Sequence, residues 1–199
     1  RMEGYFGLLH LFLYFLLLGS VFRAPREWNT FFHTSLAASV LISFYGILQL
    51  GGSFAIHQGG TRLDATLGNA TYLAAYLLFH LFLLIWFFLR TDSRGLRAMY
   101  GAAFLLEAFV LYYTATRGAV LGFIGGLFLL GALLALLARG TMRRWAFGGL
   151  GIIILVPAVF FLVKDTAFVR QSPVLDRFAS ISRQETTTRA RCTIWKMAL

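Results

Sequence analysis

Six long apolar runs, separated by short segments that hold most of the charge, leave this chain few folds to choose from. The runs cover residues 4–22, 31–50, 71–89, 98–114, 119–138 and 145–163. Each approaches the roughly 20 residues that cross about 30 Å of hydrocarbon. All are too continuously apolar for a surface helix with a polar stripe. Lipid offers the backbone no hydrogen bonds, so such runs must satisfy their own peptide groups as helices. The expected class is therefore all-α: a polytopic integral membrane helical bundle of about six spans over residues 1–163. Residues 164–199 are expected to begin an external loop with amphipathic helices. A composition of 59% hydrophobic and 13% charged residues agrees.

The formal net charge of +10 raises the question of nucleic acid, but the basic residues do not gather on one helical face. Most lie in short connections, which fits control of topology and excludes a nucleic-acid partner. Arg23 and Arg26 follow the first run, Arg90, Arg94 and Arg97 the third, and Arg139, Arg143 and Arg144 the fifth, with only Glu27 and Asp92 against them. Between runs two and three the sole basic residue is Arg62; between four and five it is Arg117. The positive-inside rule then puts the ends of runs one, three and five in the cytoplasm. Residues 51–70, the Arg117 joint and everything after Val163 face outward. Cys192 is the only cysteine, so no disulfide or zinc pattern exists, and neither a metal nor a cofactor is expected. There is no cleavable signal peptide pattern. The chain opens at Arg1 and stops at Leu199 within a helical pattern, which reads as part of a longer polytopic protein.

On that topology Arg117 occupies the side of the membrane where arginine is disfavoured, in Tyr112-Tyr-Thr-Ala-Thr-Arg-Gly-Ala119. An anion met there would offset its cost. The third and fifth runs both enter the membrane from outside. Asn69 is a natural N-cap for the third, and Gly68 permits a sharp turn before it. Thr116-Arg117-Gly118 opens the fifth. A helix N-terminus carries unbonded N–H groups and about half a positive charge, so a guanidinium beside it makes a phosphate site. Beyond Pro173, Val174, Leu175, Phe178 and Ile181 recur at helical spacing, as in an amphipathic interfacial helix. A second helix from Thr186–Thr188 would set Thr188, Arg191, Trp195 and Ala198 on one face, from which Arg191 can supply a third guanidinium. Three arginines at that depth suit a diphosphate carried by a lipid. The alternative is that Arg62 and Arg117 only reach lipid headgroups while Arg191 is solvated.

His80 lies ten residues before Arg90 and Glu107 ten after Arg97, so both fall near mid-membrane on adjoining helices. They can share a proton or hydrogen bond, as a relay or as a structural pair, or Glu107 can be a neutral acid. His10 and His33 read as satisfied membrane histidines, and His57, in the glycine-rich segment 51–60, as a weak base candidate. Gly122, Gly125, Gly126 and Gly131 allow close approach of helices within the chain.

Three stretches resemble the O-antigen ligase and O-antigen polymerase superfamily. Thr66-Leu-Gly-Asn69 followed by Tyr72-Leu-Ala-Ala-Tyr76 is similar to the segment that precedes one of its membrane helices. Thr114-Ala-Thr-Arg-Gly-Ala119 is similar to its Thr-x-Ser-Arg-Gly-Ala stretch, with Thr116 in place of serine. Thr186-Thr-Thr-Arg-Ala-Arg191 through Trp195 is similar to the Arg-x-x-x-Trp start of its periplasmic loop. The order is the family's, over roughly residues 50 to 199. The resemblance implies a multi-pass glycosyltransferase of the bacterial inner membrane that needs no metal. Such an enzyme moves a glycan from undecaprenyl diphosphate, the lipid-linked donor, to lipid A-core, a growing polymer or a protein, on the periplasmic side. It implies diphosphate binding by Arg62, Arg117 and Arg191, with Asn69, Thr116, Gly118 and Trp195 in support. The family's catalytic histidine falls beyond Leu199, so the residues given are expected to be inactive alone. Rival expectations are a transporter or flippase of the same lipid diphosphate, with His80 and Glu107 as its mid-depth features, and a non-catalytic assembly protein.

Overall fold

The computed structural model describes residues 3–57, 62–179, 193–195 and 197. Among these there are eight α-helices and no strand: α1 Glu3–Val21, α2 Pro25–Leu50, α3 Ala70–Arg90, α4 Arg94–Tyr113, α5 Arg117–Leu137, α6 Thr141–Val163, α7 Ala167–Gln171 and α8 Pro173–Ala179. A 3-10 turn, Ala65–Leu67, precedes α3. The first six helices are long and apolar enough to cross a membrane, and the architecture is an all-α bundle.

Several helices start earlier than the apolar runs. α2 begins at Pro25 rather than 31, α4 at Arg94 rather than 98, and α6 at Thr141 rather than 145. Arg26, Arg94, Arg97, Arg143 and Arg144 therefore occupy first turns of helices and not loops. Hydropathy marks only where the hydrocarbon begins, whereas backbone hydrogen bonding extends into the headgroup zone. Local signals set the true ends: Pro25 suits a first helical position, and Glu27 reaches back to accept from the Arg23 and Ala24 N–H groups at 2.8 and 3.0 Å. At this arginine-rich end Arg90 lies over the Trp86 ring, Arg97 over Phe88 and Arg143 over Phe147. Their stems cover apolar surface while the charge stays at the rim.

α3 is the centre of the bundle. Its buried stripe, Ala70, Leu73, Ala74, Leu77, His80, Leu81, Leu84 and Phe87, follows three- and four-residue spacing. α4 packs along it, and α2 closes the groove between the two. Leu63, Leu73, Leu77, Leu81, Val110 and Leu111 form one core cluster. Leu36, Leu84, Phe87 and Tyr100 form a second, towards the arginine-rich end. α5 and α6 make a hairpin that joins α3 through α5. α1 stands apart, with none of its span buried against the rest.

Glycines decide how α5 docks. A Cβ on Gly126 would lie 2.4 Å from Phe82 Cζ, one on Gly131 3.0 Å from Leu150 Cδ2, and one on Gly122 3.5 Å from Leu78 Cδ2. Gly125 has nothing within 4 Å and takes no part. Gly126→Val should therefore cost about 1–3 kcal/mol in unfolding of the detergent-solubilised protein by overpacking. Gly125→Val, one residue away on the same helix, should change little.

Beyond α6, the amphipathic segment appears as α8. Val174 is buried and the Phe178 ring stacks on Tyr112 with centroids 6.4 Å apart. Ile181 lies outside the described residues.

Candidate functional site

The end of the bundle opposite the arginine-rich one gathers the end of α2, the start of α3, the end of α4 and the start of α5. The α4–α5 joint is only Thr114-Ala-Thr116. It turns so sharply because Ala115 adopts φ +48°, a left-handed conformation that a side chain disfavours by about 1–2 kcal/mol. Thr114 is fully buried, and its hydroxyl donates to the Leu111 carbonyl at 2.7 Å.

Arg62 crosses to this joint. Its Nε donates to the Thr114 carbonyl at 3.1 Å and its Nη2 to Thr116 Oγ1 at 3.2 Å. The backbone follows, with Leu63 N–H donating to the Tyr113 carbonyl at 3.2 Å. Thr116 Oγ1 is also 3.3 Å from the Ala70 carbonyl in the first turn of α3. The starts of α3 and α5 are thus adjacent, and Arg62 is fastened beside Arg117, the first residue of α5. The sequence places Arg62 ahead of α3; its guanidinium instead serves α5, because residues 62–64 run back over the α4 terminus before α3 begins.

The supporting residues divide. Asn69 caps α3, its Oδ1 accepting from Thr71 N–H at 2.8 Å, and Gly68 takes φ +65° in the turn before it. Thr116 makes no side-chain cap on α5; its hydroxyl is used between Arg62 and Ala70. Gly118 is exposed and a Cβ there would meet nothing within 4 Å. Arg117 is half-buried. Arg191 lies outside the described residues, and Trp195 is exposed.

What the sequence did not point out is the tie beneath this mouth. Gln49, in the last turn of α2, donates from Nε2 to Asp64 Oδ1 at 2.9 Å and to the Ala55 carbonyl at 2.8 Å. Its Oε1 accepts from Ala65 N–H at 2.8 Å. Asp64, fully buried, accepts from His57 N–H at 2.9 Å, and the His57 ring Nδ1 stands 3.5 Å from the same oxygen. These bonds tie Ala55, His57, Asp64 and Ala65 to one another and to the end of α2, and so hold Arg62 in register. The available signal was an amide at the close of an apolar helix and a carboxylate two residues past Arg62. Neither states its partner.

At mid-depth, His80 and Glu107 do not pair. His80 Nδ1 meets the Tyr76 carbonyl at 2.8 Å and Nε2 meets Ser35 Oγ at 2.8 Å. Glu107 Oε1 meets Ser39 Oγ. The correction has a simple cause: α2 inserts between the two groups, presenting Ser35 and Ser39 one turn apart. His33 finds Tyr100 Oη at 2.7 Å and the Asn29 carbonyl at 2.6 Å. Among the described residues no cluster of His, Cys, Asp and Glu is suited to a metal ion. Compared with protein-family models, curated proteins and solved structures, the chain matches none of them.

Proposed function

We propose that the mouth formed by Arg62, Arg117 and the starts of α3 and α5 binds the diphosphate of a lipid-linked glycan. On this reading the protein is a glycosyltransferase of the bacterial inner membrane, related to the O-antigen ligase and polymerase superfamily. The supporting observation is the Arg62–Thr116–Ala70 chain of contacts, which sets one arginine beside another at paired helix N-termini. Fixed guanidiniums and helix N–H groups favour the charge that develops on a departing diphosphate, with little reorganisation. Arg191 would complete the set from the external segment. The acceptor hydroxyl would lose its proton to a base, and displacement at the anomeric carbon would release the lipid diphosphate.

Binding tests the reading directly. Protein in nanodiscs should retain undecaprenyl diphosphate more tightly than the monophosphate, and Arg62→Gln with Arg117→Gln should remove that preference. Equal binding of both lipids by the unaltered protein would sink it. A transporter of the same lipid is the second reading, favoured by the polar side chains buried between α2, α3 and α4. It predicts donor translocation across vesicles with the glycan still attached.

A further inference from the structure

The α2–α4 seam contains a contact that only one protonation state satisfies. Ser39 Oγ lies 2.8 Å from the Leu36 carbonyl and also within hydrogen-bond distance of Glu107 Oε1. A hydroxyl has one hydrogen and so can donate to only one of these acceptors. Were Glu107 a carboxylate, one of the two close oxygen–oxygen contacts would hold no proton. If Oε1 carries the proton, both contacts are satisfied: Glu107 donates to Ser39, and Ser39 donates to Leu36.

Two further observations agree. Glu107 is fully buried, and among the described residues no lysine, arginine or histidine forms an ion pair with it. Glu107 Oε2 makes no hydrogen bond, which a carbonyl oxygen tolerates far better than a charged one. The other titratable groups nearby are Tyr76 and His80 of α3, their ring centroids 4.1 Å apart, and, further along the α2–α4 seam, His33 and Tyr100, which bond each other. His80 Nδ1 faces the Tyr76 carbonyl and so carries a hydrogen, and its Nε2 meets the Ser35 hydroxyl, a contact that a neutral ring satisfies by accepting.

We propose that Glu107 is a proton-binding site inside the membrane, holding its proton on Oε1 against Ser39. His80 of α3 and Glu107 of α4 thus each meet a serine of α2, Ser35 and Ser39, on successive turns. Ser43, the next turn along, is fully buried, and its hydroxyl, like Glu107 Oε2, has no hydrogen-bond partner. A proton is the ligand these contacts call for, because it supplies the one hydrogen bond that the Ser39 hydroxyl cannot make. This inference is independent of the diphosphate reading.

Infrared spectroscopy of the purified protein in bilayers at neutral pH tests it. The unaltered protein should show the carbonyl stretch of a protonated carboxyl, sensitive to deuterium exchange. Glu107→Gln should lose that band while keeping the unfolding temperature, since the amide matches the neutral acid in shape. Ser39→Ala should keep the band but shift its frequency, a response that a purely structural role for Ser39 would not give. Absence of the band in the unaltered protein, its survival in Glu107→Gln, or its loss on adding sodium would overturn the proposal.

Discussion

Arg117→Ala is expected to lower glycan transfer by about 10²–10³-fold, the loss typical of removing one well-placed donor to a developing anion. Membrane insertion and expression should be unchanged, because the residue begins α5 and is only half-buried. Arg117→Lys should fall between: it restores charge but not the planar fork that grips two oxygens. Arg139→Ala, at the other end of the bundle, should have no effect, which separates a site from a general need for positive charge. The measurement is product formed from a lipid diphosphate donor in membranes in which each variant is expressed from its whole reading frame. Undiminished transfer by Arg117→Ala removes the diphosphate role.

Asp64→Ala is expected to destabilise the protein and to disable the same mouth from beneath. The side chain is fully buried and accepts from the Gln49 amide and the His57 N–H. Truncation strands one N–H of the Gln49 amide, at about 1–3 kcal/mol for a buried group left unsatisfied, and leaves the exposed His57 N–H to water. Segment 51–64 would lose its hold on α2, and Arg62 its register against Thr114 and Thr116. The expected results are a lower unfolding temperature in detergent, faster proteolysis within residues 51–64, and weaker binding of the lipid diphosphate. Asp64→Asn keeps the shape but turns one acceptor into a donor, so its effect should be smaller. A variant that unfolds at the original temperature would show that the strap is not structural.

The two predictions differ in how legible their residues were. Arg117 announced itself by sitting on the unfavoured side of an alternating charge pattern, and Asn69 by its cap position. Arg62 was recognisable as an outward arginine, yet its place beside α5 follows from hydrogen bonds to Thr114 and Thr116 that join residues 52 and 54 apart in the chain. Gln49 and Asp64 gave no signal of their own, since a single amide and a single carboxylate near a helix end are ordinary. His80 and Glu107 could be placed along their helices by counting, but the structure bonds each to a serine of α2 and not to the other. Depth comes from counting residues along one helix, whereas partners depend on which helix turns its polar face inward. α2 does so with Ser35, Ser39, Ser43 and Gln49, at spacings that look unremarkable in a hydroxyl-rich apolar run.

The sequence by itself determined the number of spans, their order and the separation of arginine-rich connections from the rest. Those properties follow from the cost of placing backbone and charge in hydrocarbon, which acts on each segment alone. Only the tertiary structure decided that α2 packs into the groove between α3 and α4, that the starts of α3 and α5 touch, and that Ser39 is the neighbour of Glu107. Packing between helices in lipid has no hydrophobic gradient to direct it. It is settled by close contact at small residues such as Gly126 and by the pairing of scattered polar groups, which exist only once the helices have met.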